Sequence, residues 1–249
     1  MTRFNEQTVF QRMLAVANGV QLLKSPDELI GTLFEINDAL DIQGSVFVSF
    51  ARNDDSHESY RFVNASPPGW CQEYISNAWH TIDPCILYAS TNSEPTLIKN
   101  IPVRTQGQRR MLEAAAQWGF RSGIVVPSHS PSGRSRMGVL YLGSDDPEAL
   151  DEQALGQLRL VLRSISSELL DWWTRQVRSE LLAGGGLSAE EIAILRLTRE
   201  GLTSKEIACS LGTTTKGAVD QRLYKLTTKF GSPTRKDAAE LAYQLGLLS

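Results

Sequence analysis

One short block of the 249-residue chain gathers side chains able to hold a polar, partly apolar small molecule: Ser66-Pro-Pro-Gly-Trp70-Cys-Gln-Glu-Tyr74, running on to Ile82-Asp83-Pro84. Trp70 and Tyr74 are four residues apart, which sets them on one face of a helix. Asp83 follows where that helix must end. An indole N–H donates to a carbonyl and a carboxylate accepts an amide N–H, so the trio suits an amide-containing apolar ligand. The same residues also read as a core aromatic pair with Asp83 capping a turn, and spacing alone leaves both readings open.

A second chemistry is possible in the same stretch. Cys71, His80, Asp83 and Cys85 supply a thiol, a base and an orienting carboxylate. Nothing near them resembles a nucleophile elbow or an oxyanion loop, so the chain is expected not to be an enzyme. The cysteines, Cys71, Cys85 and Cys209, are far apart and odd in number. That argues against a disulfide framework and a cysteine zinc site, and suits a reducing cytosol. No cofactor and no metal are expected.

The third group lies near the C-terminus. Val219, Leu223, Leu226 and Phe230 recur at helical spacing and form a buried stripe. The opposite face carries Gly217, Ala218, Gln221, Lys225 and Thr228, with Arg222 and Lys229 at its edge and Thr214, Thr215 and Lys216 at its start. Glutamine can bond two edge atoms of adenine, while arginine or lysine reaches guanine or phosphate. The plain alternative is a small helical bundle with a solvated basic face.

Elements must position these groups. The C-terminal segment punctuates itself as four short helices. Ser188-Ala-Glu-Glu191 and Thr203-Ser-Lys-Glu206 are capping boxes, each flanked by a hydrophobic staple (Leu187 with Ile192, Leu202 with Ile207). Gly201 and Gly212 sit where left-handed C-caps belong. The third helix starts near Thr214 or Thr215 and ends at Gly231. Thr234 opens the fourth and Gly246 closes it. The second and third helices, joined by a short turn, form a helix-turn-helix arrangement.

Upstream, helices are expected at 5–23 and from Ser25-Pro26-Asp27-Glu28 onward, with Leu29, Leu33, Ile36 and Leu40 as the apolar stripe of the second. β-rich runs follow at 45–50, 59–64, 96–98, 122–127 and 137–143, interrupted by helical runs at 69–79, 84–91 and 106–118. A long helix, about 148–182, comes last. Strands mixed with helices imply a sheet covered on both faces, an α/β/α sandwich, and hence an α+β chain with a helical C-terminal domain. Within the long helix, Leu155, Leu158, Leu162, Ile165, Leu169 and Trp172 alternate at three and four, a heptad-like seam read as a dimer interface; packing onto the sheet gives the same pattern.

The glycines Gly184-Gly185-Gly186 mark a joint. The expected division is a sensor domain at 1–172, a linker at 173–186 and a DNA-binding domain at 187–249. Charge divides likewise. The whole chain is net −3, but 1–172 is −6, 173–186 is +1, 187–249 is +2, and the stretch 203–236 alone is +5. The acidic average hides a basic patch. No apolar run approaches the ~18 residues of a membrane span, and the polar start MTRFNEQTVF lacks a signal-peptide core. A soluble, cytoplasmic protein without a membrane partner is expected.

Two resemblances cover nearly the whole length. Leu187-Ser-Ala-Glu-Glu191-Ile-Ala-Ile-Leu195 followed by Gly201-Leu-Thr-Ser-Lys-Glu206-Ile-Ala resembles the DNA-binding domain of LuxR-type transcription regulators, whose Glu, Leu and Gly match Glu191, Leu195 and Gly201. The turn Gly212-Thr-Thr-Thr215 has one extra residue, and Arg222 stands where a His is common. The block at Trp70 resembles the acyl-homoserine-lactone sensor domain of the same regulators, whose Trp, Tyr, Asp and Pro match Trp70, Tyr74, Asp83 and Pro84, and whose glycine matches Gly123. A second family Trp, which packs on the lactone ring, is replaced by Ile98. The family's Tyr before the first Trp and its Ser or Thr on the last strand stand exchanged here, as Ser66 and Tyr141.

The resemblance implies an antiparallel sheet and a ligand site of Trp70, Tyr74, Asp83, Ser66, Tyr141 and Ile98, to which Phe62 and Trp79 are added as aromatic candidates. It implies a homodimer on double-stranded promoter DNA, a small-molecule effector of the N-acyl homoserine lactone type and, for an activator, contact with RNA polymerase. Two recognition helices on adjacent half-sites match a pseudo-palindromic operator. A solo regulator that binds DNA without ligand or answers a non-standard ligand is the alternative. A phosphorylated response regulator would need an alternating parallel βα domain, which 1–150 do not show.

Overall fold

The computed structural model describes residues 6–51, 60–130, 136–183, 186–212, 214–230, 232 and 234–248. Two compact units divide between Trp172 and Trp173.

The first unit starts with helices α1 (Glu6–Val20) and α2 (Pro26–Leu40). Ser25 caps α2 by accepting from the Glu28 amide, with Pro26 at the first helical position, where its missing N–H is harmless. Strands β1 (Gly44–Ala51) and β2 (Arg61–Ala65) follow, then α3 (Pro68–Ser76), α4 (Pro84–Thr91), the short β3 (Thr96–Leu97), α5 (Gln106–Gln117), β4 (Ser122–His129), β5 (Arg136–Ser144) and α6 (Glu152–Ala183). The sheet order is β2-β1-β5-β4-β3, and every neighbouring pair is antiparallel.

Both faces of this sheet are covered, so its inner strands are buried almost continuously. β1 shows how the layers divide. Ser45 and Phe47 are fully buried, and the Ser45 hydroxyl donates to the Leu33 carbonyl of α2. On the same face Ser166 of α6 donates to the Val126 carbonyl of β4. Val46 and Val48 point the other way, towards α3, α4 and α5. The result is the expected α/β/α sandwich, with a central antiparallel sheet.

Three boundaries differ from the sequence pattern in ways that matter. α3 stops at Ser76; Ala78 adopts a left-handed backbone (φ 48°) and Trp79–Thr81 form a separate 3-10 turn. β3 stops at Leu97, and Ile98 opens another 3-10 turn. α6 begins at Glu152, because the Asp151 carboxylate accepts from the Ala154 amide and caps it there.

The seam on α6 is not an open dimer face. Leu162, Ile165 and Leu169 are wholly buried, Leu158 and Trp172 nearly so, and Leu155 is half-buried. The Trp172 indole donates to the Leu23 carbonyl. Five of the six pack inside the first unit, which favours the sheet-packing reading of the pattern for them, while Leu155 stays half-buried. A three-four alternation records a helix with one apolar side and does not name what covers it.

The second unit holds the end of α6 and four helices, α7 (Ala189–Arg199), α8 (Ser204–Leu211), α9 (Lys216–Phe230) and α10 (Arg235–Gln244). Both expected capping boxes are present, at Ser188 with Glu191 and Thr203 with Glu206. Gly201, Gly212 and Gly246 all have positive φ. Leu195, Leu226, Phe230 and Leu245 form one core, and Ile194, Ile207, Val219 and Leu223 a second between α7, α8 and α9. Of the glycine joint, Gly184 and Gly185 lie outside the described residues, as do Thr213 in the α8–α9 turn and Gly231.

Candidate functional site

A cavity of about 300 Å³ lies between the sheet and the layer of α3, α4 and α5. That is at the lower end of the range for small-molecule sites. Val46, Val48, Asn64 and Tyr141 form its sheet floor, and Trp70, Tyr74, Met111, Ala115 and Phe120 much of the opposite wall.

Asp83 is the cavity's charged centre. It is the N-cap of α4, and its Oδ1 accepts from the Cys85 amide at 2.7 Å. Its Oδ2 accepts from the Tyr74 hydroxyl at 2.7 Å and the Tyr141 hydroxyl at 3.3 Å. The residue is 2% exposed. Burial pushes its carboxyl pKa up, and these hydrogen bonds only partly offset that rise. Burial, reinforced by the charge of Asp83, pushes both phenols well above their ordinary range, so they stay neutral donors.

Aromatic packing fixes the Trp70 indole. Its ring lies 5.5 Å from Tyr74, 5.6 Å from Trp79 and 5.9 Å from Phe120. Two glycines make room for the wall. A Cβ on Gly143 would fall 2.1 Å from the Phe120 ring, and one on Gly123 would fall 2.5 Å from Ile98 Cδ1. The sequence position matched to the family's glycine is therefore where the backbone yields space to the residue replacing the second Trp.

The sequence-predicted residues are placed unevenly. Trp70, Tyr74, Asp83, Tyr141, Ile98 and Phe62 line the cavity together. Trp79 stands behind Trp70 as a buried support. Ser66 is outside the wall; its hydroxyl donates to the Asn64 side chain, and Asn64 lines the cavity instead. Tyr60, Asn64, Met111 and Phe120 were not anticipated, and His80 was named only for the enzyme reading. The alternation of β1 and β2 would have exposed Val46, Val48 and Asn64 as one face; nothing local marks Tyr60, whose ring is 5.9 Å from His80.

Cys71, His80, Asp83 and Cys85 do line one cavity. Burial raises the Cys71 thiol, and burial with the nearby Asp83 charge raises Cys85 well above the ordinary value. Both therefore hold their protons, the reverse of an activated nucleophile. Among the described residues there is no cluster of His, Cys, Asp and Glu suited to a metal ion.

The basic face of α9 is similarly sorted. Lys216, Gln221 and Lys225 are exposed. Thr215 caps α9 by accepting from the Ala218 amide. Arg222 is engaged internally: it pairs with Glu190 at 2.9 Å and donates to the half-buried Thr214 hydroxyl at 3.2 Å. Lys229 Nζ donates to the Gly186 carbonyl at 2.6 Å. Tyr224, not anticipated, is 74% exposed on the same outer face.

Residues 25–169 match the model of the autoinducer binding domain family. The chain is 29% identical over 192 residues to the transcriptional activator protein AhyR of Aeromonas hydrophila, covering 74% of this chain and 72% of that one. It is 23% identical over 241 residues to the quorum sensing-dependent transcriptional regulator RpaR of Rhodopseudomonas palustris, covering 96% and 95%. Its fold is similar to that of SdiA in complex with octanoyl-rac-glycerol, with a TM-score of 0.72 at 19% identity, covering 100% and 98%. AhyR and RpaR are regulators of transcription. No helix among the described residues is long and apolar enough to cross a membrane.

Proposed function

Because the chain belongs to the LuxR-type quorum-sensing regulators with an autoinducer-binding domain, and is thus a ligand-binding regulator of transcription, we propose that its cavity takes an N-acyl homoserine lactone or a related acylated amide. One observation carries this reading: a carboxylate 2% exposed that lines a largely apolar cavity. Asp83 accepts the ligand's amide N–H, and the Trp70 indole donates to the headgroup carbonyl. Tyr141, whose 3.3 Å bond to Asp83 is the longer, turns its single O–H to the acyl carbonyl, while Tyr74 keeps donating to Asp83. Ile98 covers the headgroup less fully than an indole does.

The second unit binds double-stranded promoter DNA as a homodimer, with α9 in the major groove. Gln221, Tyr224 and Lys225 form the outward set, Lys216 and Thr215 flank it, and Arg222 and Lys229 brace the helix from within. If the protein activates transcription, it also contacts RNA polymerase. Ligand drives DNA binding only through differential affinity for the DNA-competent state.

Anisotropy of a labelled promoter fragment, titrated with and without lactone, tests the reading. Lactone should tighten binding, and Asp83→Asn should weaken the lactone effect by about 1.5–3 kcal/mol, the worth of a hydrogen bond to a charged group. Equal DNA affinity with and without every lactone tried contradicts it.

A second reading has its own observation. Asp83 is already satisfied by two phenols and an amide, and Ile98 replaces the ring-covering Trp. A solo regulator that binds DNA unliganded fits these facts, and the same titration separates the two.

A further inference from the structure

Burial is graded around the cavity. The carboxylate itself is closed off: Asp83 is 2% exposed and Cys85, whose amide donates to it, 1%, while its phenol partners Tyr74 and Tyr141 are half-buried. Two other wall residues face solvent as well as the cavity, Phe62 at 49% and Ile75 at 54%. A side chain that does both marks a rim. Phe62 lies on β2, the edge strand of the sheet, and Ile75 on the last turn of α3, the helix that follows β2 directly. Both rim residues are large and apolar. A polar, closed end and an apolar, open end call for an amphipathic ligand that enters headgroup first.

We propose that the ligand's acyl tail leaves the cavity between Phe62 and Ile75, so that the end of a long chain lies on this apolar rim at the protein surface. The inference rests on the lactone-type reading of the same cavity and deepens it: it assigns the ligand to the long-chain class and makes Phe62 and Ile75 its length-selecting residues. A cavity of about 300 Å³ that opened nowhere would cap chain length sharply, because interiors do not stretch. An apolar rim replaces that cap with a gradual gain. A fully buried methylene strengthens binding about fourfold, and one half-covered on a rim about twofold.

The test uses the full-length protein and straight-chain N-acyl homoserine lactones from hexanoyl to tetradecanoyl, read by quenching of tryptophan fluorescence. Affinity should keep rising about twofold per methylene over the longest members, and Ile75→Ala and Phe62→Ala should flatten that rise. A tetradecanoyl lactone carrying a fluorophore at its chain end should bind wild-type protein within about threefold of the untagged compound, since its tip is in solvent. This second probe needs no variant to fold. An abrupt loss of affinity beyond a middle length, or loss of binding by the tagged compound while the untagged one binds, overturns the open-rim assignment and leaves the lactone reading intact. Failure of every lactone to bind overturns both.

Discussion

At the scale of single residues, Asp83 makes the account sensitive to pH. Its carboxyl pKa is raised in the ligand-free fold, chiefly by burial. A raised carboxyl contributes stability that is fully present below the ordinary carboxylate pKa and is lost as pH rises through the folded value. Thermal unfolding without ligand should therefore show a loss across that window, and Asp83→Asn should remove it. Lactone acts in the opposite sense. Its amide N–H favours the carboxylate, so affinity should fall as pH is lowered through the same window, and calorimetry in buffers of different ionisation enthalpy should show proton release on binding. Two basic residues give a second prediction. Lys225 is exposed while Lys229 is tied to Gly186. Lys225→Ala should lower the salt slope of DNA binding by about 1, whereas Lys229→Ala should mainly cost about 1 kcal/mol of stability in thermal unfolding. The reverse pattern would return Lys229 to the DNA contacts. Trp70, Tyr74 and Asp83 were legible as a site through the family resemblance, since their spacing alone fits a core aromatic pair and a turn cap equally. Arg222 was not, because its partner Glu190 is thirty-two residues away and a helical wheel shows a face without showing its neighbours.

At the scale of elements, most of the fold was legible and the exceptions share a cause. Four C-terminal helices announced themselves through capping boxes and positive-φ glycines, which are local devices. The strands were legible as β-rich runs, but their order β2-β1-β5-β4-β3 was not, since pairing is decided by residues far apart in the chain. The break after Ser76 was hidden because Ala78, a good helix former, takes the left-handed turn that tertiary packing imposes. The α6 stripe was legible as a stripe only; its occupant is the first unit's own core. Leu162→Ala should consequently destabilise that unit by about 2–5 kcal/mol in denaturant unfolding. Loss of dimer with unchanged unfolding would instead restore the stripe as an interface.

At the scale of the whole molecule, a net charge of −3 conceals an acidic segment, −6 over 1–172, and a basic stretch, +5 over 203–236. The account requires two copies on one operator, and sedimentation velocity should show a dimer with lactone and promoter DNA; a monomer under every condition would remove the half-site model. The central claim is that the cavity around Asp83 holds an acylated amide signal. Its most direct test is mass spectrometry of small molecules extracted from purified protein made in a lactone-producing host. The account predicts an acyl homoserine lactone in near-stoichiometric amount, sharply reduced in Asp83→Asn. Soluble, DNA-binding protein that yields no such molecule would contradict it.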